Sequence, residues 1–175
     1  TSAFSSARIT TKVTLRLTSG GAITQSEAID AHTTSSFSAG GHAITLANAG
    51  NDFTGAVSLS NSGSNDVSLT DTNALDLGTI GVGQNLTITA TGGALTDSGA
   101  ITVPGLATIV STGQSVTLGD STTANFGSLD FAGAAVTITE GSAMAIAASE
   151  ATGALALVEG GAFTRRGAID AHTIA

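Results

Sequence analysis

Val13-Thr14-Leu15-Arg16-Leu17 alternates apolar and polar side chains strictly, and His42-Ala43-Ile44-Thr45-Leu46 alternates again from Ile44 onward. A period of two sends one set of side chains into a core and the other into solvent, so each run reads as a half-buried β-strand. The same pattern returns at Val67-Ser68-Leu69, Leu75-Asp76-Leu77, Leu86-Thr87-Ile88, Val116-Thr117-Leu118 and Val136-Thr137-Ile138, and Leu155-Ala156-Leu157 answers Leu86-Thr87-Ile88 in the repeat. Strand-like segments of three to five residues recur about every 8–12 residues, separated by Gly, Ser, Asn and Asp. No helical period competes with them. Residues 143–151 are helix-compatible by propensity, but in the repeat they align with the strand pair at 74–82.

One stretch organises the chain. Leu86 to Ile101, with Gly92-Gly93-Ala94-Leu95-Thr96 at its centre, is anticipated by Leu15 to Ile29 and echoed by Leu155 to Ile169. The glycine pairs Gly20-Gly21, Gly92-Gly93 and Gly160-Gly161 fall 72 and then 68 residues apart. Residues 161–173 match 21–33 at nine of thirteen positions. Closely spaced short strands allow an antiparallel sandwich or a parallel solenoid. The repeat favours the solenoid, because there each coil meets a near-copy of itself and the same residue types fit layer after layer. Hairpin signals such as Asn-Gly and Asp-Gly are also absent from the sequence.

The expected fold is therefore all-β: a single-stranded parallel β-helix, or β-solenoid, of about eight coils. At the ~4.8 Å spacing of neighbouring strands the stack is about 40 Å long. Residues 1–12 read as a lead-in or edge-covering segment. Residues 13–175 form the repeat domain, in units of about 13–84, 85–153 and a truncated 154–175. The glycine pairs are expected to mark tight corners that need positive φ.

Composition thins the core. Hydrophobic residues make up 41% of the 175, but aromatics only 3%, so the interior is built from Ala, Val, Ile and Leu. Charged residues are 10%, against about a quarter in ordinary domains. Twenty-eight threonines help supply the polarity, and with Val and Ile they favour strand. The net charge is −8, and no Lys or Arg lies between residues 17 and 164. That span would repel a phosphate backbone or an anionic lipid surface, which argues against a nucleic-acid partner. There is no cysteine, so disulfides, thiolate metal sites and a Cys nucleophile are excluded. No apolar run is long enough to span a membrane, and residues 1–12 lack a signal-peptide core.

Particular residues raise particular chemistry. Asn51, Asp52, Asn65 and Asp66 sit in Gly-Asn-Asp and Ser-Asn-Asp steps that are weak calcium candidates. Calcium solenoids repeat a nonapeptide in tandem with a Gly-Gly-x-Gly frame, which these lack. Turn chemistry accounts for the same residues. Asp30 with His32, and Asp170 with His172, place a carboxylate and an imidazole on one face of a strand, as a metal or acid–base pair would be. Asp71 with Asp76 is a formal carboxylate pair for glycoside hydrolysis. However, Trp and Tyr, the usual sugar platforms, are absent. Thr87-Ile88-Thr89 and Thr137-Ile138-Thr139 could contribute to hydroxyl ladders, or simply fill outward strand positions. Gly92-Gly93 is not a phosphate loop, since no Lys-Ser/Thr follows it. The expectation is no catalytic residue, no cofactor and no enzymatic activity.

Leu46-Ala47-Asn48-Ala49-Gly50-Asn51-Asp52-Phe53-Thr54-Gly55, Val67-Ser68-Leu69-Thr70-Asp71 and Leu86 to Thr96 together resemble the β-strand repeats of filamentous-haemagglutinin-like exoproteins. The likeness covers most of residues 13–173. It implies a right-handed parallel β-helix and an extracellular or cell-surface location on a bacterium. It also implies a structural or adhesive role, as a stalk or an adhesion surface. The alternative is a solenoid that binds glycan, calcium or ice; a polysaccharide-active enzyme comes after that. Expected partners are further repeats of a longer chain, another copy stacked end to end, or a host or cell-surface glycan or protein. No membrane insertion is expected.

Overall fold

The computed structural model describes residues 4–6, 8–120 and 122–171, and every strand pairing in it is parallel. One line of partners shows how the coils stack. Phe4 stands beside Ile23, Ile23 beside Ile44, Ile44 beside Val67, and Val67 beside Leu86. The line continues through Ala107, Leu129, Ile146 and Arg165. These nine rungs set eight steps of 17 to 23 residues each. The chain is thus a parallel β-solenoid of about eight turns, and no described residue is helical.

A second line begins with Ile9–Thr11, Ile29–Ala31 and Asp52–Phe53. A third stacks Leu15–Thr18, Ser35–Ser38 and Val57–Ser60 onto Leu75–Gly81. There the ladder divides. Leu75 carries on through Leu95, Val116, Val136 and Leu155, while Ile80 carries on through Ile101 and Ala124. Met144–Ile146 and Ser149–Ala151, the helix-compatible stretch, are strands. Phe4–Ser6 and Ile9–Thr11 lie within the first twelve residues and pair directly with the next coil.

The core sits inside the coils and runs unbroken along the stack. Strand burial alternates as the sequence pattern does, for example across Leu86–Ala90 and Val136–Glu140. Inward Ile, Leu and Val side chains are buried from Ile23 to Ile146. Each fully buried aliphatic side chain stabilises the fold by about 1.5–3 kcal/mol. Because successive coils offer the same thin slot, aliphatic residues fill it and large ones are few. Phe37 and Phe53 meet edge to face, with centroids 6.1 Å apart and ring planes at 85°. Ser35 interrupts the apolar line of Leu15 and Val57. Its hydroxyl is buried without a partner.

The glycine pairs do mark corners, but not for the expected reason. Among the described residues, positive φ occurs at Gly40, Gly63, Gly113 and Gly119, none of them in the pairs. Gly92 and Gly93 are needed because the preceding coil is too close. A Cβ on Gly92 would lie 2.3 Å from the Thr72 carbonyl oxygen, and one on Gly93 2.6 Å from the Ala74 nitrogen.

Candidate functional site

The chemistry-bearing side chains divide between the corners, which they hold together, and the outward ladders, which they decorate. Asn51 is fully buried at a corner. Its Oδ1 accepts the Ile29 N–H at 2.9 Å and the Gln25 Nε2–H at 2.7 Å. Its Nδ2 donates to the carbonyls of Leu46 and Thr70, each at 3.0 Å. One side chain therefore binds the coil before it and the coil after it. Asp71, also fully buried, extends the arrangement: Oδ1 accepts the Phe53 N–H at 2.8 Å and Oδ2 the Asn73 N–H at 3.0 Å. Burial pushes the Asp71 carboxyl above its usual range, against the opposing pull of those N–H groups.

Other corners repeat the device with different residues. Asn61 donates to the carbonyls of His42 and Asn65 and accepts the Gly83 N–H. Asn85 Oδ1 accepts the Leu106 N–H. Asp97 accepts the Gly119 N–H at 2.7 Å and the Thr122 hydroxyl.

The four calcium candidates fall at different points of this scheme. Asn51 has its amide occupied as described. Asp52 is half-buried and stands beside Asp30. Asn65 Nδ2 donates to the carbonyls of Gly41 and Ser62. Asp66 is exposed and accepts the Asn85 N–H at 3.1 Å. Among the described residues no group of three His, Asp or Glu side chains is arranged to hold a metal ion. His32 Nε2 approaches Asp30 Oδ1 to 3.1 Å, without hydrogen-bond geometry. Asp170 stands beside Glu150, far along the stack from Asp30; His172 lies outside the described residues. Asp71 and Asp76 belong to different ladders, and Asp76 Oδ2 accepts the Ser98 hydroxyl at 2.8 Å.

The coil register gathers a feature that separate motifs hid. Ser5, Thr24, Thr45, Ser68, Thr87 and Thr108 form one unbroken outward row of hydroxyl residues, and Asp130 follows them. Thr137 belongs to a second, shorter row with Thr96 and Thr117. The row was traceable in principle as Ser or Thr recurring every 19 to 23 residues. Comparing Thr87-Ile88-Thr89 with Thr137-Ile138-Thr139 missed it, because those strands stand in different rows. Further along, Asp130, Glu150 and Asp170 line an open groove of about 330 Å³ between coils. Burial raises the Asp130 carboxyl there, with the Ser149 hydroxyl opposing.

An uninterrupted parallel stack, apolar within and clasped at its corners by side-chain amides and carboxylates, defines a β-solenoid repeat protein. Its sequence matches the family model described as Repeats of unknown function (DUF5649) over residues 1–60 and 64–131. The chain belongs to that family. Comparison with curated proteins and with solved structures finds no match.

Proposed function

We propose that this chain is a rigid structural segment of a larger bacterial surface or secreted protein, serving as a stalk or as an adhesion surface. The observation that carries the reading is the use made of the polar corner residues. Asn51, Asn61, Asp71, Asn85 and Asp97 each hydrogen-bond backbone groups of their own or adjacent coils. Side chains committed in this way stiffen a rod and are unavailable for catalysis, so the reading assigns the chain no reaction. The likeness to filamentous-haemagglutinin-like repeats supports the extracellular and adhesive part. Stacking against further repeats, or against a second copy, is the partner chemistry that suits a solenoid.

The hydroxyl row from Ser5 to Thr108 supports a second reading, a flat binding surface for a glycan or for ice. One set of measurements separates the two. Small-angle scattering of the intact chain should show a body about 40 Å long with constant cross-section, and a globular profile overturns the rod. Saturable binding to host-cell glycans, lost on Thr45→Lys, supports adhesion through the row. Thermal hysteresis lost on the same substitution supports ice. A rod that does neither is a stalk.

A further inference from the structure

Glu140 and Glu159 are direct neighbours in register, at the ends of the paired strands Val136–Glu140 and Leu155–Glu159. Parallel in-register strands project such side chains the same way, so two carboxylates stack one coil apart. Glu140 occupies the inward phase set by Val136 and Ile138 and is only 1% exposed. Its Oε1 is satisfied, accepting the Phe126 N–H at 2.9 Å and the Ser142 hydroxyl at 3.0 Å. Its Oε2 is buried without a hydrogen-bond partner, and so is Oε2 of Glu159.

Two buried acceptor oxygens with no donor between them are costly if both groups are ionised. Among the described residues no ion pair relieves them. Val116–Leu118, packed on Val136–Glu140, carries no titratable side chain, and Asp120 beyond its end is exposed. Ala124–Gly133 contributes Asp130, which lies by Ser149. Met144–Ile146 contributes none, and Arg165 on the coil beyond is exposed, as is Arg166.

We propose that Glu140 and Glu159 share one proton, a carboxylic acid–carboxylate hydrogen bond that latches these two coils together and loosens as pH rises. The proton turns one orphan oxygen into a donor and satisfies the other. Burial and, more weakly, the Glu159 charge hold the Glu140 carboxyl above its ordinary range, against Phe126 N–H and Ser142. The native state thus keeps a proton that the unfolded chain releases. The latch is complete below the ordinary Glu range and is lost as pH rises through the raised native value.

Hydrogen exchange on the intact chain, corrected for intrinsic rates, tests the latch at the amides of residues 155–159 between pH 5 and 8. Protection there should fall about tenfold for each unit by which the shared proton is held above its ordinary range. In Glu159→Gln the amide donates to the ionised Glu140 Oε2 and offsets part of the cost of its burial, so the pH dependence of protection should be clearly smaller than in the wild type. Carbon-13 carboxyl titration of the wild type should show one of the two groups protonating well above the ordinary Glu range. Ordinary titration of both groups, or a wild-type pH dependence in Glu159→Gln, overturns the proposal. So does full protection at pH 8 restored by calcium or magnesium, which would mean that a cation bridges the pair.

Discussion

Asn51 Oδ1 accepts the backbone N–H of Ile29, one coil away, at 2.9 Å. The same side chain donates to Thr70 of the following coil, so three successive coils meet at one carboxamide. Asn51→Ala leaves the Ile29 N–H and two carbonyls without these partners. The expected loss is about 3 kcal/mol, from an unsatisfied-group cost of ~1–3 kcal/mol for each buried group, offset in part by entering water. Urea unfolding of wild type and variant measures it; a loss below about 0.5 kcal/mol, the scale of a neutral surface change, would reject the clasp.

Ser35 gives the opposite sign. Its buried hydroxyl has no partner in a line of apolar neighbours. Ser35→Ala removes a desolvated polar group at little cost in volume. It should stabilise the chain by about 1 kcal/mol in the same assay.

Phe37 and Phe53 stack a local test of core packing. Phe37→Ala should cost about 3–5 kcal/mol, and a double-mutant cycle with Phe53→Ala should return a coupling of about 0.5–1.5 kcal/mol. Because coils contact only their neighbours, exchange protection should drop first around residues 35–60. A uniform drop along the whole chain would contradict a quasi-linear stack.

The glycine pairs allow a matched comparison. A Cβ on Gly92 would meet the Thr72 carbonyl oxygen at 2.3 Å, whereas one on Gly20 meets nothing within 4 Å. Gly92→Ala should lower the melting temperature by several degrees, on the order of 1–3 kcal/mol of overpacking. Gly20→Ala should be neutral or slightly stabilising. Equal effects would mean that corner spacing is not what selects glycine.

The pH dependence of stability has a definite sign. Burial raises the Asp71 carboxyl, so the native state binds a proton more readily there than the unfolded chain does. Stability from this group is fully present below the ordinary Asp range and is lost as pH rises through the raised native value. Melting curves from pH 4 to 8 should show the wild type weakening with pH. Asp71→Asn should have a smaller slope over the same window, and an unchanged slope would count against Asp71 as a source.

Much of this architecture was legible in the alternation of Leu15 to Leu17, Ile44 to Leu46 and Leu86 to Ala90, because period two dictates which side chains enter a core; Val13, which the same pattern places inward, lies before its strand and is exposed. The short spacing of such runs, their recurrence and the small aliphatic content together specify a parallel stack with a thin interior. The clasp at Asn51 was less legible. A corner Asn that bonds its own turn and one that bonds two other coils look alike in sequence, and only the stacking brings Ile29 and Thr70 to it. Glu140 and Glu159 were likewise two scattered acids until the register placed them side by side.

What the chain by itself determined is the local unit: strand, corner, strand, with its inward and outward phases. The phase of those units around the stack was decided only in three dimensions. Leu15 and Leu86 open near-copies, yet Leu86 belongs to the line of Ile23, Ile44 and Val67, while Leu15 belongs to the line of Ser35 and Val57. Their spacing is not a whole number of coils. Met144 partners Phe163, so the Gly160-Gly161 corner returns to the side that Gly20-Gly21 occupies, seven coils on. The physical reason is that the faces of a solenoid share one core and one kind of backbone ladder. A strand–corner unit is equally satisfied on any of them, so its sequence does not record its face. The accumulated corner lengths do, and they take effect only when the coils close.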